Sequence, residues 1–523
     1  MTKPLTPFDG TNIWALLATR ADARPHHRVL RWRPFHGPGG EWSYAEFVRD
    51  AERIAAGLWL SGVRRGDRVL IHMNNCPEML LTWFACARTG AVAVSTNAKL
   101  SSDELGDIAE RVAPVLALTQ ADLANLVVAA CPASIPLFVA PGGDVPMPAT
   151  GDRIRNFSAL LEAHGAPERQ VDLTLAPLAI QFTSGTTSRP KGAVFTHANA
   201  LWGARVGAAH MGLNEDDVSL VYLPLFHIVG LSWLTLATLW AGGTIVLQPR
   251  FSASRFWPVS VECGCTFTVM MRFCVMALDR REIPDHRYRL WNCGMLDPVL
   301  GQRYRVRVNA SWGMTEVVTE GTVSDPSLPC APGGIGRPAP EYQVRIVDDD
   351  CRAAVPGDTG HLEVRAQRGV GLFLEYYKDP AGTEAAFTSD GFFRTGDLAA
   401  QMDDGSLRYV ARAKDMLKVG GENVAAAEIE RVIALVDGVR EAAVVAKPHE
   451  FLTEVPVAFV LLEEDVSDRD GVLAAIATVC DEKLASFKRP REIRVVRELP
   501  RSVNEKVAKR ELRRILTEGR ALD

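Results

Sequence analysis

At 523 residues the chain exceeds what one hydrophobic core ordinarily supports, so two or more domains are expected. Hydrophobic residues make up 47% and charged residues 23%, the composition of a soluble globular protein. A net charge of −5 argues against a dedicated nucleic-acid binder.

The first part of the chain alternates strand and helix. Residues 68–72 are expected as a strand, 77–88 as a helix with Pro77 in its first turn, and 91–94 as the next strand. Ser102 opens another helix, and 115–118 form the strand after it. Such alternation predicts a parallel sheet flanked by helices. Apolar residues 178–182 and 193–195 then enclose a polar loop. From 218 to 247 no side chain is formally charged, a run long enough to span a bilayer. Pro224, His227, Gly230 and Gly242-Gly243 break its pattern, so a buried strand, turn and helix are expected instead of a membrane span. After about Gly333 the texture shifts to short β segments. Strands are expected at 342–347 and 361–364, with Asp348-Asp349-Asp350 as a turn between them. Asp403-Asp404-Gly405 marks a hairpin turn before a strand at 407–410. From Lys414 onward the pattern gives a helix at 426–435, strands at 441–446 and 457–462, a helix at 471–484 and a last helix from Lys506.

The polar loop reads Thr183-Ser184-Gly185-Thr186-Thr187-Ser188-Arg189-Pro190-Lys191-Gly192. Glycines free backbone N–H groups to close on an anion, hydroxyls add donors and Lys191 adds a point charge, which suits a polyphosphate. It is not the common nucleotide P-loop, because Pro190 precedes the lysine and Gly192 follows it. Further stretches follow in order: Ser311-Trp312-Gly313-Met314-Thr315-Glu316, Arg394-Thr395-Gly396-Asp397, Arg412-Ala413-Lys414-Asp415, Gly420-Gly421-Glu422-Asn423, and Lys506. In this succession, from about Trp14 to Leu512, the chain resembles the adenylate-forming superfamily of acyl-CoA synthetases, beetle luciferases and peptide-synthetase adenylation domains. Asn75-Cys76-Pro77-Glu78 and Ser252-Ala253-Ser254-Arg255-Phe256-Trp257, with the polar loop and the Gly420 segment, are similar to those of crotonobetaine/carnitine-CoA ligases.

The resemblance implies an α/β fold. A large N-terminal domain of flanking sheets and a distorted β-barrel, residues 1–413, would precede a small mobile α+β domain, 414–523, with its hinge at Lys414. It also implies an ATP-dependent acid–thiol ligase that makes an acyl-CoA through an acyl-adenylate. Its cofactors would be ATP, Mg2+ and coenzyme A, and its substrate a small carboxylic acid. Thr183, Ser184, Gly185, Thr186, Thr187 and Lys191 would hold the β- and γ-phosphates. Thr315 would meet the α-phosphate and Glu316 would bind Mg2+. Trp312, where tyrosine is commoner, would stack on adenine. Asp397 would accept hydrogen bonds from the ribose hydroxyls, with Arg412 on the same edge. His227 would line the acyl tunnel. Lys506 would bridge carboxylate and α-phosphate during adenylation. Rotation about Lys414 would then bring in Lys418, with Gly420 and Gly421 admitting a pantetheine arm.

Some stretches depart from the family. Trp291-Asn292-Cys293-Gly294-Met295-Leu296-Asp297 stands where a Gly-Gly-Ala-Pro-like segment usually lies against adenine, and Asn504-Glu505-Lys506 replaces Thr-Gly-Lys. A carnitine-like onium would ask for an aromatic cage, for which Trp233, Trp240 and Trp312 are the candidates, although tryptophans in apolar runs are ordinarily core. Arg272, in an apolar setting, is either a surface residue or a contact for the far end of the substrate. Between Lys483 and Arg520 the chain carries 13 Lys/Arg against 5 Asp/Glu, either a solvated face or an attraction for ATP or CoA phosphates.

Ten cysteines show no metal spacing, and Met1 to Pro7 lacks the apolar core of a signal peptide; a reduced, cytoplasmic protein is expected. Partners are a small-molecule acid, no nucleic acid and no membrane, with a homodimer left open. Two rival functions are a stand-alone adenylation enzyme loading a carrier-protein pantetheine arm and a non-catalytic nucleotide-binding relative. The joint presence of Lys191, Glu316, Asp397, Lys414 and Lys506 speaks against the second.

Overall fold

In the computed structural model, residues 6–143, 145–165, 173–183, 190–419, 422–450, 452–484, 486–501 and 507–518 are described. They fall into two compact units. One comprises residues 1–344, 364–393 and 404–406; the other comprises 345–363, 394–403 and 407–523.

The first unit is built on two large, mostly parallel sheets. The nine-stranded sheet runs Arg337–Pro338, Glu320–Val323, Arg307–Gly313, Leu290–Cys293, Phe267–Met270, Val218–Val221, Thr244–Leu247, Arg28–Trp32, Gly40–Ser43. Its inner pairs are parallel. The eight-stranded sheet runs Glu375–Tyr376, Lys191–Thr196, Pro177–Thr183, Val92–Thr96, Arg68–His72, Leu116–Gln120, Leu137–Ala140, Ile154–Asn156. Parallel strands covered on both faces read as unbroken apolar runs, which is why Val69-Leu70-Ile71 and Ala93-Val94 do not alternate. Helix Pro77–Thr89 is buried nearly all round, as its apolar sequence requires, and begins on Pro77. Helix Ser102–Val112 is started by a capping box, with Ser101 and Glu104 satisfying each other's backbone N–H. The uncharged run resolves into strand Val218–Val221, π-helix Val229–Leu236 continuing as α-helix Ala237–Ala241, and strand Thr244–Leu247. No described helix is long and apolar enough to cross a membrane.

In the second unit, strands Gln343–Val347, Thr359–Arg365, Phe393–Gln401 and Leu407–Arg412 form a four-stranded sheet in that order. Among the described residues, Gln343–Val347 and Leu407–Arg412 are the outer strands of this order. A five-stranded sheet follows, ordered Glu422–Ala425, Met416–Val419, Thr453–Leu462, Val439–His449, with Glu492–Val496 pairing in parallel to Thr453–Leu462. Its side chains alternate with the strand period of two. Val444, Ala458 and Val460 pack with Ile429, Ile433 and Ile476 of helices Ala426–Ile433 and Arg469–Lys483. Ala443, Val445, Val457 and Phe459 pack with Leu512 and Ile515 of helix Lys509–Glu518. Both faces are therefore covered by local helices.

Candidate active site

Strands Pro177–Thr183 and Lys191–Thr196 pair antiparallel with Thr183 opposite Lys191, so the two ends of the polar stretch lie side by side. The Thr183 hydroxyl donates to the Lys191 carbonyl at 3.4 Å. Ser184, Gly185, Thr186 and Thr187 lie outside the described residues. Strand Glu375–Tyr376 extends the hairpin on its free edge, with Tyr376 opposite Ala193. This register lays the Tyr376 ring against the Lys191 side chain, whose ammonium stands 4.4 Å from the ring centroid. The Tyr376 hydroxyl donates to Glu316 Oε1 at 2.9 Å. The Phe373 N–H donates to the Glu316 carbonyl at 2.9 Å, so the segment that delivers Tyr376 also fixes the Glu316 backbone. Lys191, Tyr376 and Glu316 thus form one connected set, with Glu316 and Tyr376 buried.

Thr315–Val317 is a short 3-10 turn between strands Arg307–Gly313 and Glu320–Val323. It leads into strained backbone. Val318 has φ +71° and ψ −42°, and the Thr319 N–H donates to the Val317 carbonyl at 2.8 Å, closing a γ-turn. A β-branched residue there stores roughly 1–3 kcal/mol, and such strain persists only where the surroundings enforce it. Trp312 is buried with its ring across Gly321 of the neighbouring strand. On Gly313 a Cβ would come within 2.6 Å of the Trp233 indole, so glycine at this motif position admits that ring. Trp233 belongs to the π-helix that begins just after His227. His227 is half-buried, and its Nδ1 accepts the Val229 N–H at 3.3 Å, which puts the proton of the neutral ring on Nε2. Trp240 packs edge-on against Phe8 at 6.4 Å, and Arg272 is exposed at the start of helix Arg272–Leu278, its ordinary surface position.

Behind this turn lies a buried polar belt. Asn292 Oδ1 accepts the Ser311 hydroxyl at 2.9 Å, and its amide stands 3.5 Å from Glu320 Oε1. Glu320 is fully buried and also takes the Thr319 hydroxyl. Burial raises its carboxyl above the usual carboxylate range.

The second unit brings Asp397 and Arg412 together. Strands Phe393–Gln401 and Leu407–Arg412 place them directly opposite each other. Arg412 Nε reaches Asp397 Oδ1 at 2.7 Å, and Arg412 Nη1 donates to the Thr395 carbonyl at 3.2 Å. The Thr395 hydroxyl accepts the Asp397 N–H at 3.0 Å. Gly396 between them has φ +72°, the left-handed conformation that side chains rarely adopt. Lys414 lies in the 3-10 turn Ala413–Asp415, and Asp415 pairs with Arg513 at 2.9 Å. Lys418 stands on strand Met416–Val419; the side chains of Lys414 and Lys418 lie outside the described residues, as do Gly420, Gly421 and Lys506.

Tyr376 and Glu320 were not singled out from sequence. A charge inside the otherwise uncharged Glu320–Val323 strand was a usable signal for Glu320; Tyr376 carried none. No group of three or more His, Cys, Asp or Glu able to hold a metal is found among the described residues. Glu316 fits the alternative, because Mg2+ carried on a polyphosphate needs only one or two protein carboxylates.

Comparison with known proteins shows the family of the chain. The model of the AMP-binding enzyme family matches residues 17–377, and that of the AMP-binding enzyme C-terminal domain matches 428–506. The chain belongs to the AMP-binding enzyme family. It is 30% identical over 513 residues to the crotonobetaine/carnitine–CoA ligase of Proteus mirabilis, covering 92% of this chain and 95% of that one. The o-succinylbenzoate coenzyme A synthetase of Bacillus subtilis with its acyl-adenylate intermediate has a TM-score of 0.83 at 26% identity, covering 99% of this chain and 100% of that one. The same enzyme with ATP and a magnesium ion has a TM-score of 0.82 at 26% identity, covering 97% and 99%.

Proposed function

We infer that the chain is an AMP-forming acyl-CoA synthetase. It uses ATP and coenzyme A to convert a carboxylic acid to its thioester through an acyl-adenylate, releasing AMP and pyrophosphate. The observation that carries this reading is the set Lys191, Tyr376 and Glu316 at the base of the hairpin loop, an ammonium and a carboxylate joined through one ring. Relatives that the chain matches along nearly their whole length are coenzyme A ligases, which supports the full reaction rather than nucleotide binding alone.

In this reading Lys191 and the loop Thr183, Ser184, Gly185, Thr186 and Thr187 hold the β- and γ-phosphates, and Thr315 meets the α-phosphate. The magnesium ion, when bound, neutralises part of the charge on the phosphoryl oxygens, and Glu316 is the residue that would hold it. Asp397 takes the ribose hydroxyls and Arg412 keeps its carboxylate aimed. Trp312 flanks the adenine, and His227 and Trp233 border the acyl pocket. Lys506 neutralises charge as pyrophosphate leaves. Segment 414–523 then turns about Lys414, exchanging Lys506 for Lys418 with Gly420 and Gly421 beside the thiol's arm. All ten cysteines are free and eight are buried, which suits a reducing, cytoplasmic setting for an enzyme acting alone or as a homodimer.

Acid-dependent exchange of labelled pyrophosphate into ATP should proceed without coenzyme A. A requirement for coenzyme A in that exchange would overturn the two-step scheme. Turnover with free coenzyme A alone rules out an obligatory carrier protein, and pyrophosphate release over short, branched, aromatic, steroidal and betaine acids identifies the substrate.

A further inference from the structure

Tyr376 lies in none of the sequence motifs, yet it touches both ionic groups at the hairpin. Its ring face carries the Lys191 ammonium at 4.4 Å and its hydroxyl donates to Glu316 Oε1 at 2.9 Å. Tyr376 and Glu316 are 6% and 5% exposed, so neither leaves this arrangement cheaply. The ring thus carries the ammonium on its face and the carboxylate at its hydroxyl. Donation of the phenolic proton toward an anion enriches the ring, which strengthens its attraction for a cation. The scaffold is rigid where it matters: Tyr376 is opposite Ala193, two residues along the strand that Lys191 begins.

Two opposite charges that must both meet a polyphosphate face a particular hazard. Paired with each other in a dry site, they would have to be separated before every turnover. A ring between them removes that step and still holds both in place. We propose that Tyr376 is a positioning residue, a spacer that keeps Lys191 and Glu316 apart and aimed for a magnesium-bound nucleoside triphosphate. This rests on the assignment of Lys191 and Glu316 to the nucleotide given above.

The test compares Tyr376→Phe, which keeps the ring and loses the hydroxyl, with Tyr376→Leu, which loses both. Binding of a non-hydrolysable ATP analogue is titrated by calorimetry at several Mg2+ concentrations, without acid or coenzyme A. The phenylalanine variant should need roughly tenfold more Mg2+ for half-maximal binding, since a hydrogen bond to a charged group is lost, while keeping the parent's affinity at saturating Mg2+. The leucine variant should lose roughly tenfold in affinity even at saturating Mg2+, because the ring under Lys191 is gone too. In steady state the KM for ATP should rise and the KM for the acid should not. If the leucine variant fails to fold, the phenylalanine variant decides. A phenylalanine variant with the parent's Mg2+ dependence, or with both KM values rising together, overturns the proposal. Lys191→Ala and Glu316→Gln are measured alongside. If these also bind like the parent, the nucleotide-site assignment fails; if they weaken while the Tyr376 variants do not, the spacer role alone fails.

Discussion

Two buried carboxylates, Glu316 and Asp397, for each of which a nucleotide role is proposed, are held in opposite ways. Asp397 is paired directly, with Arg412 Nε at 2.7 Å from its Oδ1 across a strand register. Glu316 accepts a tyrosine hydroxyl, and the same ring carries the Lys191 ammonium 4.4 Å from its centroid. The difference follows from what each would meet. Ribose hydroxyls are neutral and ask only for an acceptor in a fixed direction, which a permanent arginine supplies. Phosphates and a divalent cation are charged, and an internal ion pair would compete with them for the same partners. A site can thus be prepared by pairing charges where the ligand is neutral, and by separating them where it is not.

The strongest way to break this comparison is to remove charge that arrives only during the reaction. Lys506→Ala should lower the adenylation rate by about 10²–10³ and still convert a supplied acyl-adenylate to acyl-CoA. Lys418→Ala should slow thioester formation more than adenylation. Pre-steady-state measurement of each half-reaction separates the two, and parental adenylation in Lys506→Ala would mean that the prearranged charges suffice.

A smaller effect sharpens the contrast directly. Arg412→Ala leaves a buried carboxylate without its cation, so a denaturant double-mutant cycle with Asp397→Asn should give a coupling of about 1–3 kcal/mol. The same cycle on Lys191 and Glu316 in the free enzyme should give a smaller coupling, because the two act on each other through the ring. Equal couplings would erase the distinction between the two carboxylates.

The smallest effect concerns a third carboxylate, Glu320, which burial holds above the ordinary range. The folded chain binds its proton more tightly than the unfolded chain does. Stability from this group is therefore fully present below the unfolded carboxyl value, about 4.3, and is lost as pH rises through the folded one. Glu320→Gln should gain on the parent in unfolding free energy, read by denaturant titration, as pH is raised from 5 to 8, by roughly 1.4 kcal/mol per unit of pKa displacement. A constant difference across that range would place Glu320 in a wetter setting.

Much of this was legible in the sequence for identifiable reasons. The strands on either side of the polar stretch are read from apolar runs, and Pro77 marks the start of helix Pro77–Thr89 because its missing N–H is no loss there. Asp397 and Arg412 were assigned to one edge, and the hairpin around Asp403-Asp404-Gly405 sets them opposite each other. Tyr376 stayed hidden because its strand is two residues long and its partner Glu316 is 60 positions away, beyond any local pattern. Val318 was equally silent: valine gives no hint of a left-handed turn, which tertiary packing imposes.

The five-stranded sheet has a consequence for how such a chain can be handled and inherited. Its two apolar faces are each sealed by helices drawn from the same stretch, between Leu417 and Ile515. A module that carries its own cover on both sides leaves little greasy surface for water or another chain to meet. It is also portable. Produced alone, the stretch should keep its fold, and recombination between relatives can trade it as a unit.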